Sequence, residues 1–301
     1  MMRGLHTPVR AIRRRVFKEV AQLGFKADAD TLLADMEAIP YAIVNEDSEK
    51  YRESVYRARA IVRERLRLAM GLSLRPENKP VHLTAGVEAS NISEKYYEPP
   101  LMQVIPSACE SCEENKYEVS NICKGCLAHP CQEVCPKDAI SMVNGRSYID
   151  QEKCIKCGKC KSVCPYDAIA KKERPCQKAC GVNAIKSDKM GRAYIDNEKC
   201  VSCGMCMVSC PFGAISDKSQ IFQLARALSE GENVIAEIAP AFVGQFGDNI
   251  TPRNIKAALR ELGFSEVYEV ALGADIGAIA EAHHYVDKVV IIFRRIMHFK
   301  I

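Results

Sequence analysis

The sequence predicts an α+β fold in three parts. These are a helical N-terminal region with a linker (1–106), a cysteine-rich repeat module (107–217) and a partial α/β domain of parallel βαβα order (218–301). Three observations carry this. All sixteen cysteines fall between Cys109 and Cys210, and neither flank has any. The N-terminal flank places apolar residues at helical spacing. The C-terminal flank alternates strand-like and helix-like segments, which is the order of a parallel layer.

In the first part, Thr7-Pro8 is a cap residue followed by proline at the first helical position. Val9, Ile12, Val16 and Val20 then share one face, and Gly24 is the expected stop. The arginines Arg3, Arg10, Arg13, Arg14 and Arg15 are followed by no apolar core, so a secretory signal is not expected. Residues 51–70 hold six arginines beside an apolar stripe of Val55, Ala58, Ile61, Val62, Leu66 and Ala69, with Gly71 as the stop. A basic amphipathic helix suits a membrane surface or nucleic acid. The simpler expectation is a surface helix packed on the cysteine module. Residues 71–106 contain Pro76, Pro80, Pro99, Pro100 and Pro106 and read as an extended linker. No run approaches the roughly 18 apolar residues of a membrane helix, so no membrane span is expected.

The cysteine module is duplicated internally. Cys131-Gln-Glu-Val-Cys135-Pro-Lys-Asp-Ala-Ile140 matches Cys176-Gln-Lys-Ala-Cys180-Gly-Val-Asn-Ala-Ile185. Tyr148-Ile149-Asp150 matches Tyr194-Ile195-Asp196, and Cys154, Cys157, Cys160 and Cys164-Pro165 match Cys200, Cys203, Cys206 and Cys210-Pro211. The offset is 45 residues at first and 46 afterwards.

The spacing C-x2-C-x2-C-x3-C-P therefore occurs twice. It is the bacterial ferredoxin run, in which three close thiolates hold one [4Fe–4S] cluster and the fourth ligates its neighbour. Structural zinc takes cysteines in separated pairs, and disulfide frameworks belong to small secreted chains. Under the exchange of the fourth ligand, Cys135 completes Cys154, Cys157 and Cys160. Cys164 completes Cys123, Cys126 and Cys131, and Cys180 completes Cys200, Cys203 and Cys206. By repeat symmetry Cys176 and Cys210 need a C-x2-C pair, and Cys109 and Cys112 supply it. No thiol is left over, so four [4Fe–4S] clusters are expected. One two-cluster unit is then inserted within the other.

Charge follows from this. The formal +4 counts cysteine as neutral. Four clusters, each about −2 with its thiolates, bring the loaded chain to about −4. Nucleic acid is accordingly not an expected partner, and a third reading through the Arg-rich region carries least weight.

The nesting resembles the four-cluster electron-transfer subunits of large bacterial oxidoreductases, over about residues 107–217. Gly181 departs from the proline usual after the remote cysteine. In the last part, a helix is expected at 219–229 (Ile221, Leu224, Ala225, Leu228, then Gly231), followed by a buried strand at 233–239. Thr251-Pro252 starts a helix with Ile255, Ala258, Leu259 and Leu262, closed by Gly263, and 266–270 is a second strand. Asp275 is expected to cap a last helix to about Tyr285. Asn233-Val-Ile-Ala-Glu-Ile-Ala-Pro240, Gly263-Phe264 and Ala271-Leu-Gly-Ala-Asp275 resemble the opening of the catalytic domain of [FeFe]-hydrogenases.

In that family the active-site cluster is held by cysteines of later motifs, and this sequence has no cysteine after Cys210. The resemblance thus implies an electron-input role, with a ferredoxin or an oxidoreductase subunit as redox partner and no catalytic residue in these positions. The alternative is the N-terminal portion of an active hydrogenase whose remaining segment lies elsewhere. His283 is expected to pack on the apolar face of Ile276 and Ile279, and His284 to face solvent. A metal role is not expected for these or for His298. Glu237 suits a proton relay only if buried, and an outward position is the simpler expectation. A reducing, cytoplasmic compartment fits the thiol content.

Overall fold

The computed structural model describes residues 5–26, 31–45, 52–92, 98–247 and 249–297, without the side chains of 289–297. His298 and Arg3 lie outside the described residues. The chain divides into two compact units, residues 1–23 with 28–222, and residues 223–301 with 24–27.

Three helices build the helical core of the first unit: α1 (Pro8–Lys26), α2 (Leu32–Ile43) and α3 (Val55–Ala69). Thr7 caps α1 through its Oγ1, which accepts from the Arg10 amide at 3.3 Å. The helix runs through Gly24, which keeps a negative φ and so does not act as the expected stop. Val16, Val20, Met36, Val62, Leu66 and Phe222 meet in one core. Val55, expected on the stripe of α3, is exposed at its first turn.

Helix α3 packs on the cysteine module as expected, but it is not a surface helix. Its residues 61, 62 and 64–69 are all buried. Ile61 and Leu68 face a second apolar cluster with Ile105, Ala108, Cys210 and Ala214. The helix is thus buried between an all-helical core and a cysteine site, which helical spacing cannot reveal.

Residues 71–106 are not a free linker either. Leu72, Leu83 and Val87 are buried in the helical core. Strand Met102–Val104 pairs antiparallel with Ile215–Asp217. Within that outer pair, Lys116–Val119 pairs with Ile169–Lys172. Two hairpins complete the module, Ile140–Val143 with Arg146–Ile149 and Ile185–Ser187 with Ala193–Ile195. Their ends are the Tyr-Ile-Asp repeats of the sequence.

In the second unit, strands Ile235–Ile238 and Glu266–Glu269 pair in parallel, as their order predicts. The helix between them, Pro252–Glu261, opens on a reciprocal cap: Thr251 Oγ1 accepts from the Asn254 amide, and Asn254 Oδ1 accepts from the Thr251 amide. The first strand is only half covered, with Ile235 at 51% exposure and Glu237 outward. The last helix, Val270–Met297, starts at once after the strand rather than at Asp275. Val270-Ala271-Leu272 are helix-compatible residues, and no glycine or proline interrupts 278–297, so it also outruns Tyr285. His283 and His284 are both exposed, so His283 is not packed as expected. Among the described residues no helix is long and apolar enough to cross a membrane.

Leu66 is fully buried on α3. Leu66→Ala is expected to cost about 2–5 kcal/mol, and Val55→Ala less than about 1 kcal/mol. Guanidinium unfolding of the intact protein, followed by helical circular dichroism, checks both.

Candidate metal centre

Each remote cysteine sits in the same tight turn. Cys135, Cys164, Cys180 and Cys210 are followed three residues later by Asp138, Asp167, Asn183 and Gly213, whose φ angles are 45°, 47°, 53° and 59°. Asp, Asn and Gly are the residues that tolerate this left-handed backbone. Each of the four donates its amide to the carbonyl of its cysteine, at 3.2–3.4 Å. The next residue is always a buried alanine, followed by a buried isoleucine. That alanine amide donates to sulfur at Cys135 (3.3 Å), Cys180 (3.2 Å) and Cys210 (3.4 Å). Gly181, in place of proline, leaves its turn unchanged.

The other cysteines lie on loops with their own shared turn. Ser111, Gly125, Lys156 and Ser202, each two residues after the first cysteine of a C-x2-C pair, have positive φ. A Cβ on Gly125 would land on the Gly145 carbonyl, so only glycine fits there. Further amides reach sulfur from Ala193 to Cys109 and from Ser202 to Cys200, both at 3.4 Å.

These turns bring the thiols together in fours. A small cavity is lined by Cys123, Cys126, Cys131 and Cys164. A second is lined by Cys135, Cys154, Cys157 and Cys160, and a third by Cys109, Cys112, Cys176 and Cys210. The remaining thiols meet around Cys206, whose pKa is pushed up to about 11 by burial and, further, by Cys200, Cys180 and Cys203. Two cores pair the groups. Cys131 and Cys160 share one with Cys135, Cys154 and Cys164. Cys176 and Cys206 share the other with Cys109, Cys180 and Cys200. Cys157 and Cys203 alone among the sixteen are exposed.

The electrostatics favour a cationic occupant. Burial pushes the Cys176 thiol up to about 12, with Cys210 adding to the effect and Arg174 opposing it. Burial also raises Cys112 and Cys160. Cys123 runs the other way, because the Ser147 backbone amide holds its thiol below the usual range. A buried thiolate is costly alone and needs a positive centre beside it. Among the described residues no group of three or more His, Cys, Asp or Glu is arranged to hold a single metal ion. Four thiols set around a volume fit a cubane, each of whose four irons takes one thiolate.

The turn at Cys210 differs in a way the spacing could not show. A Cβ on Gly213 would collide with Val9 of α1 and with the Arg65 guanidinium of α3. Arg65 Nη2 donates to the Gly213 carbonyl. The φ admits Asp and Asn, as at the other three turns, so it is the space that requires glycine here. Sequence reasoning also missed Arg174, which lines the Cys109 cavity and is 2% exposed. Its position two residues before Cys176 in the repeat is the one signal that marks it.

Comparison with known proteins gives three family matches. Residues 123–174 match the LdpA Fe-S cluster-binding domain, residues 193–216 a 4Fe-4S binding domain, and residues 232–295 the C-terminal domain of the iron only hydrogenase large subunit. An uncharacterized ferredoxin of Methanocaldococcus jannaschii is 33% identical over 27% of this chain and 63% of its own length. The electron transport protein HydN of Escherichia coli is 37% identical over 23% of this chain and 41% of its own. Ferredoxin 7Fe of Hydrogenibacillus schlegelii is 43% identical over 18% of this chain and 68% of its own. The chain thus spans less than two thirds of the first two proteins.

The two kinds of turn residue give a direct test. Asp167→Gly keeps the backbone angle and is expected to change stability by no more than about 1 kcal/mol. Gly213→Asn also tolerates the angle but meets Val9 and Arg65, and is expected to cost about 1–3 kcal/mol. Thermal melting of the two variants under anaerobic conditions gives the comparison.

Proposed function

The chain belongs to the ferredoxin family, and from that premise we propose that it is an electron relay of four [4Fe–4S] clusters in two pairs. The ligand sets are Cys109, Cys112, Cys176 and Cys210; Cys123, Cys126, Cys131 and Cys164; Cys135, Cys154, Cys157 and Cys160; and Cys180, Cys200, Cys203 and Cys206. Residues 107–217 are the cluster domain, with one ferredoxin-like unit inserted in the other. What supports the reading is three cavities each lined by four thiols, the approach of Cys180, Cys200 and Cys203 to Cys206, and four copies of one turn at the remote cysteines.

Each cluster, when bound, accepts and returns one electron without breaking a bond to the protein. The chain's own groups then have defined work. The alanine amides at 139, 184 and 214 donate to sulfur and offset its negative charge, which favours the reduced state. The buried isoleucines beside them exclude water. Exposed Cys157 and Cys203 bring two of the sets to the surface, where a redox partner, a ferredoxin or an oxidoreductase subunit, exchanges electrons. A reducing cytoplasm keeps the thiols available.

The match of residues 232–295 favours a second reading, in which the relay feeds a hydrogen-converting site. This sequence has no cysteine after Cys210 with which to hold one. The chain then acts as the electron-input portion of a hydrogenase.

Anaerobically reconstituted protein is expected to hold about sixteen iron and sixteen sulfide per chain. A content near eight would sink the four-cluster reading. Loaded protein that has first been reduced by a low-potential chemical reductant should pass its electrons to an oxidised dye, and a reduced dye should yield no hydrogen. Hydrogen evolution by this chain alone would replace the relay with the catalytic reading.

A further inference from the structure

The arginines of α3 and its approach converge on one of the four thiol groups. Arg57 Nε donates to the Ser107 carbonyl at 2.8 Å. Arg52 Nη2 donates to the carbonyls of Ala108 at 3.3 Å and Phe212 at 2.5 Å, and Arg65 to that of Gly213. These carbonyls flank Cys109 and Cys210. From another element Arg174 lines the same cavity. Its Nη2 donates to the carbonyls of Cys112 and Gly191, both at 2.8 Å, and its Nε to Cys112 at 3.1 Å.

The neighbouring carboxylates leave this charge largely in place. Glu114 lies 3.5 Å from Arg174, but its side chain is 45% exposed and screened by water. Glu110, on the cavity wall, is shared between Arg52 and Arg57. By contrast, the lysines on the walls at Cys123 and Cys135 (Lys124, Lys137 and Lys159) are all exposed. The repeat sharpens the difference. The offset that carries Cys131 onto Cys176 carries His129 onto Arg174.

We propose that Arg174 makes the cluster of Cys109, Cys112, Cys176 and Cys210 the highest-potential site of the relay, where an entering electron comes to rest. This rests on the four-cluster reading. Reduction takes one electron from a low-potential one-electron donor, oxidises that donor, and lowers the core from 2+ to 1+. The added negative charge lies in a low-dielectric wall, where a buried cation stabilises it far more than an exposed one does. Arginine keeps its charge at every working pH. Arg174 therefore acts as a tuning residue through space and exchanges no electron or proton itself.

Redox titration of the loaded protein against reduced dye, followed by electron paramagnetic resonance, tests this with iron content as the control. In Arg174→Gln the first cluster to reduce is expected to shift at least tenfold toward its oxidised form, 59 mV lower for one electron. The other midpoints should not move. Arg174→Lys should restore most of the shift, because it keeps the charge but loses the fork. His129→Arg should raise the midpoint of a second cluster. The proposal is overturned if Arg174→Gln keeps its iron and its first midpoint. It is equally overturned if Arg174→Lys falls as far as Arg174→Gln, which marks a structural role. Should Arg174→Gln lose iron, an iron-replete His129→Arg with no raised midpoint overturns it. A wild-type iron content near eight would instead sink the four-cluster reading itself.

Discussion

A thiolate in a protein interior is unstable unless something positive lies beside it, and the first unit is organised around that constraint. Cys131, Cys160, Cys176, Cys206 and Cys210 are all buried, each against the thiols of its own group. Their burial is unfavourable for charge and favourable for packing, so the bare site prefers protonated sulfur, as the raised Cys176 and Cys206 thiols record. Cluster binding reverses this balance, and its free energy is folding energy for the surrounding turns. The small sheets are too short to hold the module alone; among the described residues it has four two-stranded pairs of three or four residues.

The protein answers the same constraint at two levels. Backbone amides reach the sulfurs of Cys109, Cys135, Cys180, Cys200 and Cys210 from fixed turns, and the Ser147 amide acts on Cys123. Side-chain charge is distributed unequally. Helix α3 spends its arginines on carbonyls of its own unit: Arg67 on Ser73, Leu83 and Ala85, Arg59 on Val44, and the others near Cys109 and Cys210. A segment expected as a surface helix packed on the cysteine module is an internal scaffold. Tyr41 takes up the remaining positive charge, with Arg59 over its ring at 4.6 Å and Arg63 donating to its hydroxyl.

What the sequence disclosed and what it hid divide along physical lines. Cysteine spacing is a local property, and the duplicated C-x2-C-x2-C-x3-C-P run was legible in the sequence. Helix starts at Pro8 and Pro252 were legible because a cap acts within one turn. Burial of Arg65 and Arg174 was not legible, because it depends on carbonyls 148 and 62 residues away. Gly24 and Asp275 carried signals for ends and starts that neighbouring helix-compatible residues overrode. The alternation at 233–239 identified a strand but not how much of it is covered. The four-fold Ala-Ile after each remote cysteine was present in the sequence, yet its meaning emerged only with the amide-to-sulfur bonds.

The pairing of Met102–Val104 with Ile215–Asp217 brackets nearly the whole module. Its consequence is temporal. On a ribosome adding about 5–20 residues per second, Cys109 and Cys112 emerge first, yet their cavity needs Cys176 and Cys210. The thiols from Cys123 to Cys164 can close in the meantime. The earliest sulfurs are therefore the last to be enclosed, and for several seconds they are the ones most open to oxidation or to capture by the wrong metal.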